Sequence, residues 1–218
     1  QRQMCIRDRY GGKLAYMTFA DNGVDYFKAT PGGLNHPIVS CFEEDSEGNL
    51  WIGTEGGGIN RWDRRDGRFV YYTQESRCGL TSNMIKKLWH DGNDRLLVSA
   101  FNGGMRVFDE RQGRFSDLHM NHPASGQPLS VYDFAKEGDR GIWLTDPDAE
   151  LMYKDASTGR VETVRLTDAQ GNAVRIHIET LFHDERGNLW LVGHDGAYVV
   201  DPATRRILKR HYIAEAPY

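Results

Sequence analysis

Residues Asp45-Ser46-Glu47-Gly48-Asn49-Leu50-Trp51-Ile52-Gly53 decide the fold, because the chain writes this pattern four times. The other copies are Asp91-Gly-Asn-Asp-Arg-Leu-Leu97-Val-Ser, Glu137-Gly-Asp-Arg-Gly-Ile-Trp143-Leu-Thr and Asp184-Glu-Arg-Gly-Asn-Leu-Trp190-Leu-Val. The large apolar anchors Trp51, Leu97, Trp143 and Trp190 lie 46, 46 and 47 residues apart. A fixed period of that length is the mark of a repeat architecture, in which one supersecondary unit cannot bury its apolar face without a neighbour.

The flanking residues keep the same phase. A turn follows each anchor: Glu55-Gly-Gly-Gly, Phe101-Asn-Gly-Gly, Pro147-Asp-Ala-Glu and His194-Asp-Gly. The next strand ends in an acid, at Asp63, Asp109, Asp155 or Asp201, and a further strand holds Phe69, Phe115, Val161 or Ile207. A leading strand starts near Val39, Ile85, Val131 or Ile178. For the first unit this predicts strands at 39–44, 50–54, 58–63 and 68–73, joined by turns rich in the residues that tolerate positive φ. Four antiparallel strands every 40–50 residues predict an all-β fold, a β-propeller fragment of four-stranded blades with a repeat of about 46 residues.

The blades are expected at 38–83, 84–129, 130–176 and 177–218, after a partial blade at 10–37. Gln1–Arg9 fits no strand and reads as a non-native or disordered segment outside the propeller arc of 10–218. Four blades and a half fit an open arc better than a closed ring. The anchors should fill the spaces between blades, with Leu97 supplying less volume than the tryptophans.

Composition agrees with an all-β protein. Of 218 residues, 24 are Gly and 24 are Trp, Tyr or Phe, which supplies many turns and many flat side chains. A net charge of −4 with scattered basic residues argues against a nucleic-acid partner. No apolar run reaches the roughly 20 residues that span a bilayer, so any membrane attachment must lie outside this sequence. Cys5, Cys41 and Cys78 have no metal-ligand spacing.

The stretch 44–57, its counterpart 183–193 and the inter-blade Gly79-Leu80-Thr81-Ser82-Asn83-Met84-Ile85 resemble the two-component regulator propeller repeat. That resemblance covers roughly residues 11–210 and implies the periplasmic sensing region of a bacterial receptor. The parent protein would then be a sensor histidine kinase, often a hybrid feeding a phosphorelay, or a diguanylate cyclase. The implied partners are a small-molecule or oligosaccharide ligand, further blades of the parent chain and a second copy in a homodimer. Two other readings stay open. One is an enzyme similar to the streptogramin-lyase propellers, which use a His with magnesium. The other is a protein-contact scaffold.

No catalytic residues, cofactor or metal site follow from the sequence. The Asp-x-x-Gly-Asn stretches offer two or three hard oxygens, but their recurrence in one place per blade favours a hairpin turn over a calcium loop. His90 and His183 occupy matching strand ends. His119 and His122 share a loop without a third ligand in view. Topology places ligand contacts on the face shared by the inter-blade segments 73–83, 116–130 and 164–177 and by the turns after each anchor. The candidates there are Glu55, Phe101, Asn102, Asp146, Asp148, His194 and Asp195, which differ from blade to blade.

Overall fold

The computed structural model describes residues 4–7, 14–18, 23–92 and 94–212. It is built almost wholly of antiparallel sheets, and the chain divides into two compact units, residues 1–118 and 119–218. The first unit opens with a three-stranded sheet of Met4–Arg7, Leu14–Thr18 and Gly23–Phe27. The first full blade follows with Val39–Glu44, Leu50–Thr54, Ile59–Trp62 and Phe69–Tyr72. The second blade is Ile85–His90, Arg95–Ala100, Gly104–Asp109 and Arg114–Asp117. In the second unit, the third blade comprises Asp133–Glu137, Gly141–Thr145, Leu151–Asp155 and Val161–Thr163. The fourth is Ile178–His183, Leu189–Gly193, Gly196–Asp201 and Arg206–Tyr212.

Three details depart from the sequence reading. Met4–Arg7 is a strand, pairing antiparallel with Leu14–Thr18, where no strand is expected within residues 1–9. The pairing satisfies backbone groups on one side of Leu14–Thr18, whose other side is taken by Gly23–Phe27. The third blade starts at Asp133 and not near Val131, and its first pair is Asp133 with Thr145. The other three leading strands carry a register shift near their start, at Val39/Cys41, Ile85/Lys87 and Ile178/Thr180. Finally, the 164–177 connection folds into a hairpin, Leu166–Thr167 with Ala173–Val174, and joins the fourth blade through a parallel bridge from Thr167 to Arg206. That sheet therefore has six strands. The hairpin turn is Asp168-Ala-Gln-Gly-Asn172, another Asp-x-x-Gly-Asn copy outside the 46-residue phase.

The repeated turn acid closes its own hairpin. Asp45 Oδ1 accepts from the amides of Glu47 (3.0 Å) and Asn49 (2.8 Å), while Oδ2 accepts from Asn49 Nδ2 (3.0 Å) and Trp51 Nε1 (3.0 Å). Asp184 does the same with Arg186, Asn188 and Trp190, every distance being 2.9 Å. Both carboxylate oxygens thus face N–H donors, which leaves no ligand set for a calcium ion. In the third blade the longer Glu137 reaches Trp143 Nε1 at 2.8 Å. The second blade has no indole at this place, and Arg95 Nε binds Asp91 at 2.7 Å instead.

With its polar edge held by the turn acid, each tryptophan ring is free to pack. Trp51 is fully buried, stacked on Tyr72 at 5.5 Å and set edge-on to Phe108 of the second blade at 5.3 Å. It shares one core with Leu88, Leu96 and Val98. The alternate residues Leu50 and Ile52 point to the opposite face and pack with Leu34 and Val39, as the two-residue strand period requires. Trp143 repeats the arrangement against Leu181, Leu189 and Leu191 of the fourth blade. Gly53 shows how close the first two blades approach, because a Cβ there would lie 2.7 Å from Ile85 Cγ2 and 2.5 Å from Cys41 Sγ.

Truncating Trp51 to Ala removes the largest buried side chain between the first two blades. Urea unfolding of Trp51→Ala should show a loss of about 3–5 kcal/mol. The turn acids add a pH dependence. The Asn188 and Trp190 side chains hold Asp184 down at about 2, and the Ser157 hydroxyl with the Thr158 amide does the same for Asp155. A carboxyl whose folded pKa is depressed contributes stability above its unfolded value of about 3.9, and that contribution fades as pH falls toward 2. The urea midpoint should therefore drop between pH 4 and pH 2, and drop less in Asp184→Asn.

Candidate functional site

Within the second unit, three segments enclose a cavity of about 840 Å³. One wall is the turn after Trp143, containing Asp146, Asp148 and Glu150. The second is His122, carried on a loop closed by Leu129 N donating to the Met120 carbonyl at 2.8 Å and by His122 N donating to Gln127 O at 2.8 Å. The third is the connection with the extra hairpin, which brings Arg165, Arg175 and His177. Leu151, Val164, Leu166 and Ile178 form a buried apolar floor. Apolar lining with a few convergent polar groups is the usual make-up of a small-molecule site.

The turn is organised by Asp146. Its Oδ1 accepts the Glu150 amide at 2.9 Å and its carbonyl accepts the Ala149 amide at 3.0 Å, with Ala149 in the left-handed region at φ 62. The Asp146 side chain is only 9% exposed. His122 Nε2 faces Glu150 Oε2 at 3.3 Å and Asp146 Oδ2 at 4.0 Å. One ligand atom from each of these residues falls within 4.8 Å of the others, a spacing that could suit a metal ion. The other ring nitrogen decides against it. His122 Nδ1 accepts amide protons from Ala124 (3.2 Å) and Ser125 (3.3 Å), so in the neutral ring the proton sits on Nε2. Nε2 is then a donor toward Glu150 and has no lone pair for a metal.

The sequence candidates separate into groups. Asp146 and Asp148 line the cavity. His194 lies beside it, stacked on His177 at 5.1 Å and paired with Glu179 at 3.3 Å. Asp195 accepts the Tyr198 hydroxyl, and burial together with that acid pushes the Tyr198 phenol up to about 12. In the first unit, Lys86 Nζ lies 3.1 Å from Glu55 and 5.7 Å from the Phe101 ring centroid, so those two candidates hold a shared lysine. Asn102 occupies a left-handed turn position at φ 53. His119 is not in the His122 cluster.

Sequence reasoning passed over Glu150, Arg165, Arg175 and His177 as named site residues. Glu150 stands where the first two blades have Gly58 and Gly104, and that break in the repeat was the available signal.

The family described as Two component regulator propeller matches residues 33–56. A curated relative, "Histidine kinase P4" of Formosa agariphila, is 23% identical over 175 residues, which is 77% of this chain and 12% of the relative. Among solved structures, the extracellular domain of a putative hybrid two component system from B. thetaiotaomicron aligns with a TM-score of 0.67 at 15% identity, over 98% of this chain and 28% of the other. A catalytically inactive virginiamycin B lyase from Staphylococcus aureus aligns with a TM-score of 0.65 at 11% identity, over 99% of this chain and 75% of the other. Both solved structures share the fold of this chain, which spans only a small part of the kinase. Among the described residues, no helix is long and apolar enough to cross a membrane.

Glu55 and Phe101 are thereby assigned a structural task that can be checked. Lys86→Met should lower stability by about 1 kcal/mol, since its ammonium is mostly buried against both groups. In a thermal-melt cycle, combining Lys86→Met with Glu55→Gln should cost less than the two single changes added together.

Proposed function

We propose that this chain is the ligand-recognition propeller of an extracytoplasmic, periplasmic sensor in a bacterial signal-transduction receptor, and that its ligand occupies the cavity between the Asp146 turn and the 164–177 hairpin. The carrying observation is that cavity, where the repeat is broken by side chains able to read a ligand: His122, Asp146, Asp148, Glu150, Arg165 and Arg175. The match to the regulator repeat and the likeness to a histidine kinase and to a two component system's extracellular domain support a sensor in place of an isolated scaffold. The ligand class that fits this reading is an oligosaccharide: the polar rim would hydrogen-bond hydroxyls and the apolar floor would take a ring face. Ligand occupancy would act on the receptor through different affinities for two arrangements of its dimer.

The lyase reading has one observation in its favour, the shared fold with virginiamycin B lyase. His122 argues against a metal-assisted reaction at this cavity, because its Nε2 is a donor. Incubation with quinupristin, the compound in that lyase structure, should leave its mass spectrum and chromatogram unchanged. For the sensor reading, a thermal-shift screen of oligosaccharides should give a hit whose stabilisation is lost in Arg175→Ala. An absence of any hit, together with a reading frame lacking both a membrane span and an output module, would overturn it.

A further inference from the structure

The hairpin of the 164–177 connection has no counterpart in the other blades, and its base carries an opposed pair of like charges. Its ladder joins Leu166 to Val174 and Thr167 to Ala173. The same register carried one step further sets Arg165 opposite Arg175. Like charges facing each other on paired strands repel and weaken the pair. Both arginines are exposed and both line the cavity, as does His177 two residues beyond Arg175.

Among the described residues, no carboxylate forms an ion pair with either arginine, because the nearby acids have other partners. Asp168 is spent at the far end of the hairpin. Its Oδ1 accepts the amides of Gln170 and Asn172, both at 2.9 Å, and its Oδ2 accepts Asn172 Nδ2 at 3.2 Å. Glu162 pairs with Arg205, and Glu179 with His194. On the turn after Trp143, Asp146 Oδ1 holds the Glu150 amide and the Glu150 carboxylate faces His122. The cavity is therefore divided, with the acids on one wall and two unneutralised guanidinium groups on another. Each guanidinium presents five N–H donors in a planar fork, which fits the oxygens of a carboxylate or a sulfate ester. An oxyanion between the two would accept from both and offset their repulsion, and a cation there would add to it.

We infer that the Arg165–Arg175 pair is an oxyanion subsite, and that the ligand of this cavity carries a carboxylate or sulfate ester bound by both guanidinium groups. This rests on the oligosaccharide-sensing reading above and narrows it to acidic glycans. The anionic group belongs at the hairpin end of the ligand, and uncharged hydroxyls face the Asp146 turn, where a second negative charge would meet Asp148 and Glu150.

The test is calorimetric titration of the full chain at pH 7, where carboxylates and sulfate esters are ionised. Three disaccharides of one linkage are compared: cellobiose, cellobiouronic acid with a carboxylate in place of the non-reducing hydroxymethyl group, and cellobiose sulfated at that same carbon. At least one charged sugar should bind about tenfold tighter than cellobiose, and added sodium chloride should shrink that advantage. The tighter of the two charged sugars identifies the anion as carboxylate or sulfate. In Arg165→Gln and in Arg175→Gln the ratio should fall to about one, while cellobiose affinity stays within about twofold. Both side chains are exposed, so these variants should fold, and relief of the like-charge contact should leave their ligand-free melting temperatures no lower than that of the unaltered chain. Equal binding of neutral and charged sugars would overturn the oxyanion subsite and leave the sugar-sensing reading standing. An advantage that survives in both arginine variants would overturn it too, by placing the anion elsewhere. Binding of none of the three would overturn both readings.

Discussion

The structure depends on one short contact network, the turn acid that binds its own hairpin and the tryptophan beside it. A tryptophan buried between sheets contributes a large apolar area, but its indole N–H must find an acceptor. Asp45 and Asp184 supply that acceptor from within the same hairpin, using the oxygen left over after the turn amides are served. The burial of Asp45 by itself would push its carboxyl up, yet the Asn49 and Trp51 donors and the nearby Arg61 bring it below the usual range. Local turn chemistry and blade packing are thus coupled through a single carboxylate, and the ring is presented to the neighbour in a fixed pose.

That pose makes repetition useful. Trp51 and Trp143 each face a neighbouring blade whose own alternate residues, such as Leu96 and Val98 or Leu189 and Leu191, point back at them. A strand period of two puts anchor and counterpart on opposite faces of the same strand, so each blade can both receive and present. Gly53 marks the limit of approach, where a methyl group would meet Ile85. Where the indole is absent, at Leu97, the acid is satisfied by Arg95 instead and the hairpin still closes.

The cavity arises where the repeat is broken. The Asp146 turn lacks the glycines of the first two blades, and Glu150 points a carboxyl where they have none. Beside it, the 164–177 connection uses another Asp-x-x-Gly-Asn turn to build a hairpin that lengthens the fourth sheet and raises a wall. A sequence device that closes hairpins inside blades serves here outside the blade phase, so a search keyed to a 46-residue period passes over it.

The sequence by itself determined the blades. Their strands, turns and anchors rest on local rules, a period of two along strands and positive-φ residues in turns, and these recur often enough to be read four times. It also singled out certain turns and connections as candidates, and of these Asp146 and Asp148 line the cavity. Only the tertiary structure decided which of those residues meet. His122, Asp146, Glu150 and Arg175 are spread over more than fifty residues, and a neighbour in space at that separation leaves no periodic trace. It also decided that Glu55 and Phe101 are held by Lys86, that Asp195 is taken by Tyr198, and that His122 Nδ1 faces the Ala124 and Ser125 amides. Those outcomes turn on distances of about 3 Å between side chains from different strands, which folding sets and sequence spacing does not.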